Sequence, residues 1–367
     1  FMEGNEALAR GAIAAGCRFF AGYPITPATT ILNSMLKLLP GLEGVCLQGE
    51  DEIASIGYCI GASLAGKKVL TATSGPGISL YSEQISFAIA CEIPLVIADV
   101  QRLGPSTGSA TRGADSDIQF LRWGSTGGVP VIVLAPKDVR DCYELAVYAF
   151  NYAEEFRCPV FIASNKEIGL TRQSIDLESI ALPPISERRL YAGDAYLPFA
   201  AEPDLSPPFL PIGGKTLVRT TSSTHGEDGY ITTDPVVITR TQHRLREKIN
   251  NHIDRIALFD EELIENANTL VISYGITSCA VKNAVRQLRR EGVLVSTLTL
   301  KTLWPVPEQL LREKSRPYRR IVVLEMNLGQ YIQEVRRVLC DKDVEFHGRM
   351  DGELISPREI MEVITGG

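Results

Sequence analysis

Short apolar runs alternate with longer stretches of helical periodicity from residue 5 to about 165. The apolar runs predict strands over Cys17–Ala21, Gly44–Leu47, Lys68–Thr73, Pro94–Ala98, Pro130–Leu134 and Val160–Ala163. Apolar positions at helical spacing predict helices over Asn5–Ala15, Ala28–Leu39, Asp51–Ala65, Leu80–Ala90 and Val139–Ala153. Gly16 stands where the first of these would end in a left-handed turn. Strands separated by helices of this length build βαβ units and a mainly parallel sheet. The near-continuous Val, Ile and Leu character of the strands implies that helices cover both faces.

The pattern changes after residue 165. Pro183, Pro184, Pro198, Pro203, Pro207, Pro208 and Pro211 interrupt any long element as far as about 255. Tyr191, Tyr196, Phe199 and Phe209 are interleaved with them, and such aromatics are costly to leave in water. The expectation is an ordered, irregular arm lying across a surface, this chain's or a partner's, rather than a disordered linker. Gly226-Glu227-Asp228-Gly229 reads as a turn, and His243 to Ile253 as a polar, exposed helix. A second α/β unit follows, with strands over Asn268–Tyr274, Val293–Leu300 and Arg320–Leu324 and helices over Ser278–Arg290 and Tyr331–Leu339. Three segments are thus expected: 1–165, 166–258 and 259–367, the first and last being doubly wound, mainly parallel-sheet α/β domains.

Composition narrows the function class. With 367 residues the chain is long enough for two cores, and 45% apolar content is that of an ordinary globular protein. A net charge of -7 argues against a nucleic-acid surface, which needs a basic face. No apolar run approaches the roughly 20 residues of a bilayer span, and no basic stretch followed by an apolar one marks the N-terminus, so a cytoplasmic location is expected and no membrane partner. Cys17, Cys46, Cys59, Cys91, Cys142, Cys158, Cys279 and Cys340 show no Cys-x-x-Cys spacing, so they read mostly as small buried residues in a reducing compartment and not as metal or cluster ligands. His225, His243, His252 and His347 show no metal-ligand spacing either.

Candidate chemistry gathers at the predicted strand ends. Gly22-Tyr23-Pro24-Ile25-Thr26-Pro27 links a strand to a helix, and its two prolines stiffen it and keep Tyr23 and Thr26 out of helical conformation. Such an elbow at the carboxyl edge of an open sheet is where ligands bind, and it could equally be a plain βα loop. Glu52, in Glu50-Asp51-Glu52 at a helix start, fits first-turn capping as well as chemistry. Thr73-Ser74-Gly75-Pro76-Gly77 offers backbone amides to an anion but lacks the third glycine of a dinucleotide fingerprint and the Lys-Ser/Thr of a P-loop. Arg102, within Arg102-Leu103-Gly104-Pro105-Ser106-Thr107-Gly108, is either a surface loop residue or a bidentate partner for a carboxylate. Arg112 and Asp117 in the next segment are weaker candidates.

Five ordered motifs carry a family resemblance across nearly the whole chain. They are the Gly22–Pro27 elbow (preceded by Gly4-Asn5-Glu6-Ala7 and Ala14-Ala15-Gly16-Cys17-Arg18), Glu52-Ile53-Ala54-Ser55-Ile56-Gly57, Thr73–Gly77, Arg102–Gly108 and Glu325-Met326-Asn327-Leu328-Gly329-Gln330. The chain resembles the α subunit of the 2-oxoacid:ferredoxin oxidoreductases, closest to the 2-oxoglutarate branch. That resemblance implies a thiamine-diphosphate pyrimidine-binding domain, then a transketolase C-terminal-like domain. It implies oxidative decarboxylation of a 2-oxoacid with CoA to acyl-CoA and CO2, with ferredoxin reduced. Branched-chain 2-oxoacids or arylglyoxylates are the alternative substrates, and a non-catalytic assembly or regulatory subunit is the alternative role. In the family a glutamate nine residues before a Gly-Ala pair hydrogen-bonds the cofactor's aminopyrimidine ring. Gly61-Ala62 puts it at Glu52. The resemblance further implies that Arg102, assisted by Thr26, receives the substrate carboxylate, and that Tyr23, Pro24, Ile25, Ser74, Gly75 and Pro76 lie against the cofactor. Ser109-Ala110-Thr111-Arg112-Gly113 departs from the Pro-Thr sequence of close relatives, in the stretch that bears on the substrate side chain. The Gly-Asp-Gly and distant Asn that bind Mg²⁺ and the diphosphate are missing, Gly193-Asp194-Ala195 being a poor substitute. The implied Mg²⁺, diphosphate and [4Fe-4S] sites therefore belong to a β subunit, with γ and δ subunits as further partners.

Overall fold

The computed structural model describes residues 1–201 and 204–366; Pro203 of the arm and Gly367 lie outside the described residues. The chain opens with β1 (Met2–Glu3), α1 (Gly4–Ala14), β2 (Phe19–Gly22), α2 (Thr29–Leu38), β3 (Val45–Gln48), α3 (Glu52–Leu64) and β4 (Val69–Thr73). It continues through α4 (Gly75–Leu80), α5 (Ser82–Ala90), β5 (Leu95–Gln101), α6 (Ile118–Trp123), β6 (Ile132–Leu134), α7 (Val139–Phe156) and β7 (Pro159–Asn165). The arm begins with α8 (Lys166–Leu170) and β8 (Arg172–Gln173) and ends with α9 (Pro235–Asn250) and α10 (Ile253–Ile256). The last part contains β9 (Phe259–Glu262), β10 (Thr269–Tyr274), α11 (Thr277–Arg290), β11 (Val295–Leu300), β12 (Thr302–Trp304) and α12 (Glu308–Ser315). It closes with β13 (Arg320–Glu325), α13 (Ile332–Val338), β14 (Val344–Gly348) and α14 (Pro357–Thr365).

Two mainly parallel sheets result, as the periodicity implies. A seven-stranded sheet runs β12-β6-β7-β5-β4-β2-β3 and a five-stranded one β14-β13-β10-β11-β9. Every residue of β4, β5 and β7 is buried, because helices cover both faces of the large sheet. On one face Leu70, Val96, Val160 and Ile162 pack with residues of α1, α2 and α7. On the other, Leu95, Ile97 and Phe161 share one continuous core with Leu270, Ile272 and Leu298 of the second sheet and with Tyr331 at the start of α13. The two sheets are therefore fused through apolar packing, not strung on a linker.

That fusion explains β12, which lies beyond the expected boundary at 259 yet pairs antiparallel with β6 (Trp304 opposite Val133). Charged pairs clamp the same junction. Lys137 Nζ lies 3.0 Å from Asp141 Oδ2 and 2.8 Å from Asp260 Oδ2, and Lys301 Nζ lies 3.2 and 3.0 Å from the other oxygens of those carboxylates.

Two of the expected helices begin well before their predicted starts. One helix was expected over Leu80–Ala90, but α4 starts at Gly75, inside the Thr73–Gly77 motif, because a proline is tolerated in a first turn. The polar helix expected from His243 starts at Pro235, with Asp234 Oδ1 accepting from the Val236 amide at 2.8 Å. It is not exposed throughout: Leu245, Lys248 and Ile249 are buried. Lys248 Nζ reaches Glu92 Oε2 at 2.6 Å, and Arg244 Nη2 reaches Glu92 Oε1 at 2.5 Å. Burial alone would raise the Glu92 carboxyl, but Lys248 and Arg244 outweigh it and hold it down to about 2. The described part of the arm is anchored on this chain's own surface. Arg188 pairs with Glu154 at 2.7 Å, Lys68 Nζ donates to Ser186 O at 2.7 Å, and Phe209 is buried.

Candidate active site

The carboxyl edge of the large sheet brings four of the predicted segments together. β2 delivers the elbow, whose far end is tied down from α1: Asn5 Nδ2 donates to Pro27 O at 3.0 Å and to Thr30 Oγ1 at 2.7 Å. Asn5 is fully buried, and Gly169 leaves the room for it, since a Cβ there would lie 2.6 Å from Asn5 Oδ1. Tyr23 and Thr26 are exposed at the bend, with Pro24 and Ile25 half-buried.

The helix-start question at Glu50-Asp51-Glu52 has a definite answer. Asp51 is the N-cap residue of α3, its Oδ1 accepting from the Ala54 amide at 2.7 Å. Glu52 does no capping. It is 8% exposed, and among the described residues no hydrogen bond reaches its carboxylate. It lies against Gly77, where a Cβ would stand 2.9 Å from Glu52 Cγ and Oε1 and only 2.0 Å from Thr73 Oγ1. Only glycine fits that position. Ser74, expected against the cofactor, is the N-cap residue of α4, yet its side chain makes no cap bond. The Thr73 and Ser74 hydroxyls are both buried without a partner.

Arg102 follows β5, and its guanidinium turns toward the elbow. It is 5% exposed, and its Nη1 donates to Thr26 O at 2.6 Å. Its Nε has no partner, and among the described residues no carboxylate lies within 4.0 Å of it. Burial lowers its pKa, with Asp117 acting in the opposite direction. A buried guanidinium without an ion-pair partner is costly. Arg112, by contrast, points outward and pairs with Glu353 at 2.5 Å.

Asp99 was not predicted, and Asp117, the weaker candidate, lies with it. Asp99, at the end of β5, is fully buried with neither oxygen bonded. Burial and then Asp117 push its pKa well above the ordinary carboxylate range. Asp117 sits across from Gly75, where a Cβ would lie 3.5 Å from Oδ2. The Asp117 amide donates to Gln101 Oε1 at 2.9 Å, and Ser116 Oγ bonds Arg102 O at 2.6 Å. Burial raises Asp117 to about 6, while Ser116 and Arg102 pull it down.

The Glu325–Gln330 motif fixes this segment from the second sheet. Gln330 Nε2 donates to Ser116 O at 2.6 Å, and the Gln119 amide donates to Gln330 Oε1 at 2.8 Å. Asn327 Nδ2 donates to Asp115 O at 3.0 Å and to the Tyr274 hydroxyl at 2.8 Å. Glu325 anchors the motif by accepting from the Tyr331 and Ile332 amides at 2.8 and 2.6 Å. Among the described residues no group of three or more His, Cys, Asp or Glu is arranged to hold a metal ion.

Residues 10–243 match the family described as pyruvate flavodoxin/ferredoxin oxidoreductase, thiamine diphosphate-binding. Residues 267–360 match pyruvate:ferredoxin oxidoreductase core domain II. The chain belongs to this pyruvate:ferredoxin oxidoreductase family. It is 43% identical to 2-oxoglutarate synthase subunit KorA of Methanothermobacter thermautotrophicus, over 99% of this chain and 97% of the relative. With the Methanocaldococcus jannaschii subunit of the same name it shares 41% over 100% and 99% of the two chains. The ketoisovalerate oxidoreductase subunit VorB of Methanothermobacter thermautotrophicus is 32% identical over 99% of this chain and 96% of the relative. Among solved structures, 2-oxoglutarate:ferredoxin oxidoreductase from Magnetococcus marinus, with 2-oxoglutarate, coenzyme A and succinyl-CoA bound, superposes with a TM-score of 0.91 at 31% identity. All of this chain is covered there, but it spans only 64% of that structure's chain. A split-gene transketolase, at 15% identity and a TM-score of 0.59, shares the fold.

Proposed function

We propose that this chain is the α subunit of a 2-oxoacid:ferredoxin oxidoreductase that converts 2-oxoglutarate and CoA to succinyl-CoA and CO2 while reducing ferredoxin. The observation that carries the reading is the buried Arg102 guanidinium, which lacks an ion-pair partner and faces the elbow. A 2-oxoacid carboxylate would satisfy it through a bidentate contact, with the exposed Thr26 as a second donor. Higher identity to the 2-oxoglutarate synthase subunits than to the ketoisovalerate subunit supports the choice of substrate.

A groove floored by Gly77 beside Glu52 would take the pyrimidine half of thiamine diphosphate. Glu52 has an unshared carboxylate, and the Thr73 and Ser74 hydroxyls are unpartnered beside it. When bound, the cofactor supplies the nucleophilic carbon and the electron sink for decarboxylation. Glu52 would hold a proton at its carboxylate and exchange it with the aminopyrimidine. Tyr23, Pro24 and Ile25 on one side and Ser74, Gly75 and Pro76 on the other would frame the ring. Arg102 and Thr26 would orient the substrate so that its keto carbon faces the cofactor.

A β subunit would bring the diphosphate and Mg²⁺ site and a [4Fe-4S] cluster, with γ and δ subunits as further partners. Tyr23, Ile53, Tyr58 and Leu80 are large apolar side chains left exposed on the elements that carry the groove, which suits a partner docking there. Purified complex containing this chain, assayed with CoA and oxidised ferredoxin, should give its highest kcat/KM with 2-oxoglutarate. A higher value with 2-oxoisovalerate or phenylglyoxylate would overturn the substrate, and no activity with any 2-oxoacid would overturn the reaction.

A further inference from the structure

We infer that a 2-oxoacid binding at Arg102 brings a proton from solvent into the site, where the paired carboxyls of Asp99 and Asp117 hold it. This rests on Arg102 as the carboxylate receptor. The arrangement poses a charge-counting problem: Asp117 acts on the Arg102 guanidinium from beyond ion-pair distance, and on Asp99 in turn. Asp99 is fully buried with both oxygens unbonded, and Asp117 Oδ2 is buried and unbonded. Asp117 cannot easily swing away. Its amide is held by Gln101, its Oδ1 accepts from Ser116 Oγ at 3.2 Å, and Gln330 clamps the Ser116 carbonyl from the second sheet.

Among the described residues, no lysine, histidine or second arginine acts on this pair. Tyr81, between α4 and α5, faces Asp99 and also Glu52 of α3 from the helical layer. Asp115, on the same segment as Asp117, sits under Glu325 of β13. All of these are neutral or negative. In the free site the Asp117 carboxylate balances Arg102, and Asp99 keeps its proton because burial and Asp117 both oppose its ionisation. A substrate carboxylate on Arg102 withdraws that balance and puts a second anion beside the first. Taking up one proton at an Asp117 oxygen restores one negative charge against one positive. The only bond formed is that O–H, and buffer supplies the proton.

The linkage has a definite sign. Asp117 in the free site lies near 6, so below that pH it is already neutral and binding is independent of pH. Above it, each pH unit weakens binding by up to about tenfold. The holoenzyme complex should show KM for 2-oxoglutarate rising by up to about tenfold per unit between pH 6.5 and 8.5, at constant ionic strength, without a matching change in kcat. Asp117→Asn should flatten that rise and bind more tightly than wild type at pH 8.5. A wild-type KM constant across the range overturns the inference, and does so even if the variant fails to assemble. So does an Asp117→Asn profile that keeps the wild-type slope. Arg102→Met separates the two levels: if it leaves KM unchanged, the receptor assignment itself has failed, whereas a raised KM with a flat wild-type profile sinks only the proton uptake.

Discussion

Gly77→Ala isolates the floor of the groove. The added methyl would stand 2.0 Å from Thr73 Oγ1 and 2.9 Å from both Glu52 Cγ and Glu52 Oε1, where an ordinary contact needs at least 3.4 Å. The Thr73 clash requires a movement above one ångström, but its hydroxyl has no partner to lose and can rotate away. The Glu52 clash requires several tenths of an ångström from the carboxylate proposed to exchange the proton. Overpacking of this kind costs about 1–3 kcal/mol of stability. Displacing a positioned group by up to an ångström costs up to roughly 10²-fold in rate. Pairing Gly77→Ala with Thr73→Ala removes the tighter contact and leaves the one with Glu52. The double variant should therefore recover most of the stability, read from urea melts, while kcat of the assembled complex stays depressed. Recovery of both together, or a single variant with wild-type kcat, would show that Gly77 does not set the position of Glu52.

Other expectations follow from the same contacts. Glu52→Gln keeps the shape but loses the proton, so exchange of the cofactor C2 proton, followed by NMR in the complex, should slow by about 10²–10⁴; Glu50→Gln, at an exposed position outside the cap, should leave it unchanged. Glu92→Gln strands Lys248 and Arg244 beside a neutral group and should cost about 3–5 kcal/mol in urea unfolding. Because the folded-state pKa of Glu92 is depressed, its contribution is complete above about pH 5 and lost as pH falls toward 2, so the variant and wild type should converge in acid. Asp115 behaves in the opposite way: burial, against the Asn165 hydrogen bond, raises it to about 7. Its stabilisation is present below the unfolded pKa near 4 and lost as pH rises through 7, so Asp115→Asn should flatten the stability profile between those limits.

What the sequence disclosed and what it hid divide along the range of the contacts. Local spacing found β2, β4, β5 and β7, because buried parallel strands are continuous apolar runs. It could not find β12, a three-residue strand that exists only because the second unit packs its core onto the first. Glu50-Asp51-Glu52 left capping and chemistry indistinguishable. The fold separates them by assigning the cap to Asp51 and burying Glu52 against Gly77. Asp99 reads in sequence as the polar end of a strand, and nothing local reveals two unbonded oxygens in its interior. The Glu325–Gln330 motif was visible as a string of residues, but its purpose, holding Ser116 and Gln119 across more than 200 positions of chain, appears only in three dimensions.

The central claim is that Arg102 receives the substrate carboxylate as a bidentate partner, and Arg102→Lys tests it most directly. Lysine preserves the charge but not the fork, so the variant loses at least one hydrogen bond to a charged group, about 1.5–3 kcal/mol. In the assembled complex kcat/KM for 2-oxoglutarate should therefore fall by roughly 10- to 150-fold. A kcat/KM equal to wild type would contradict the assignment.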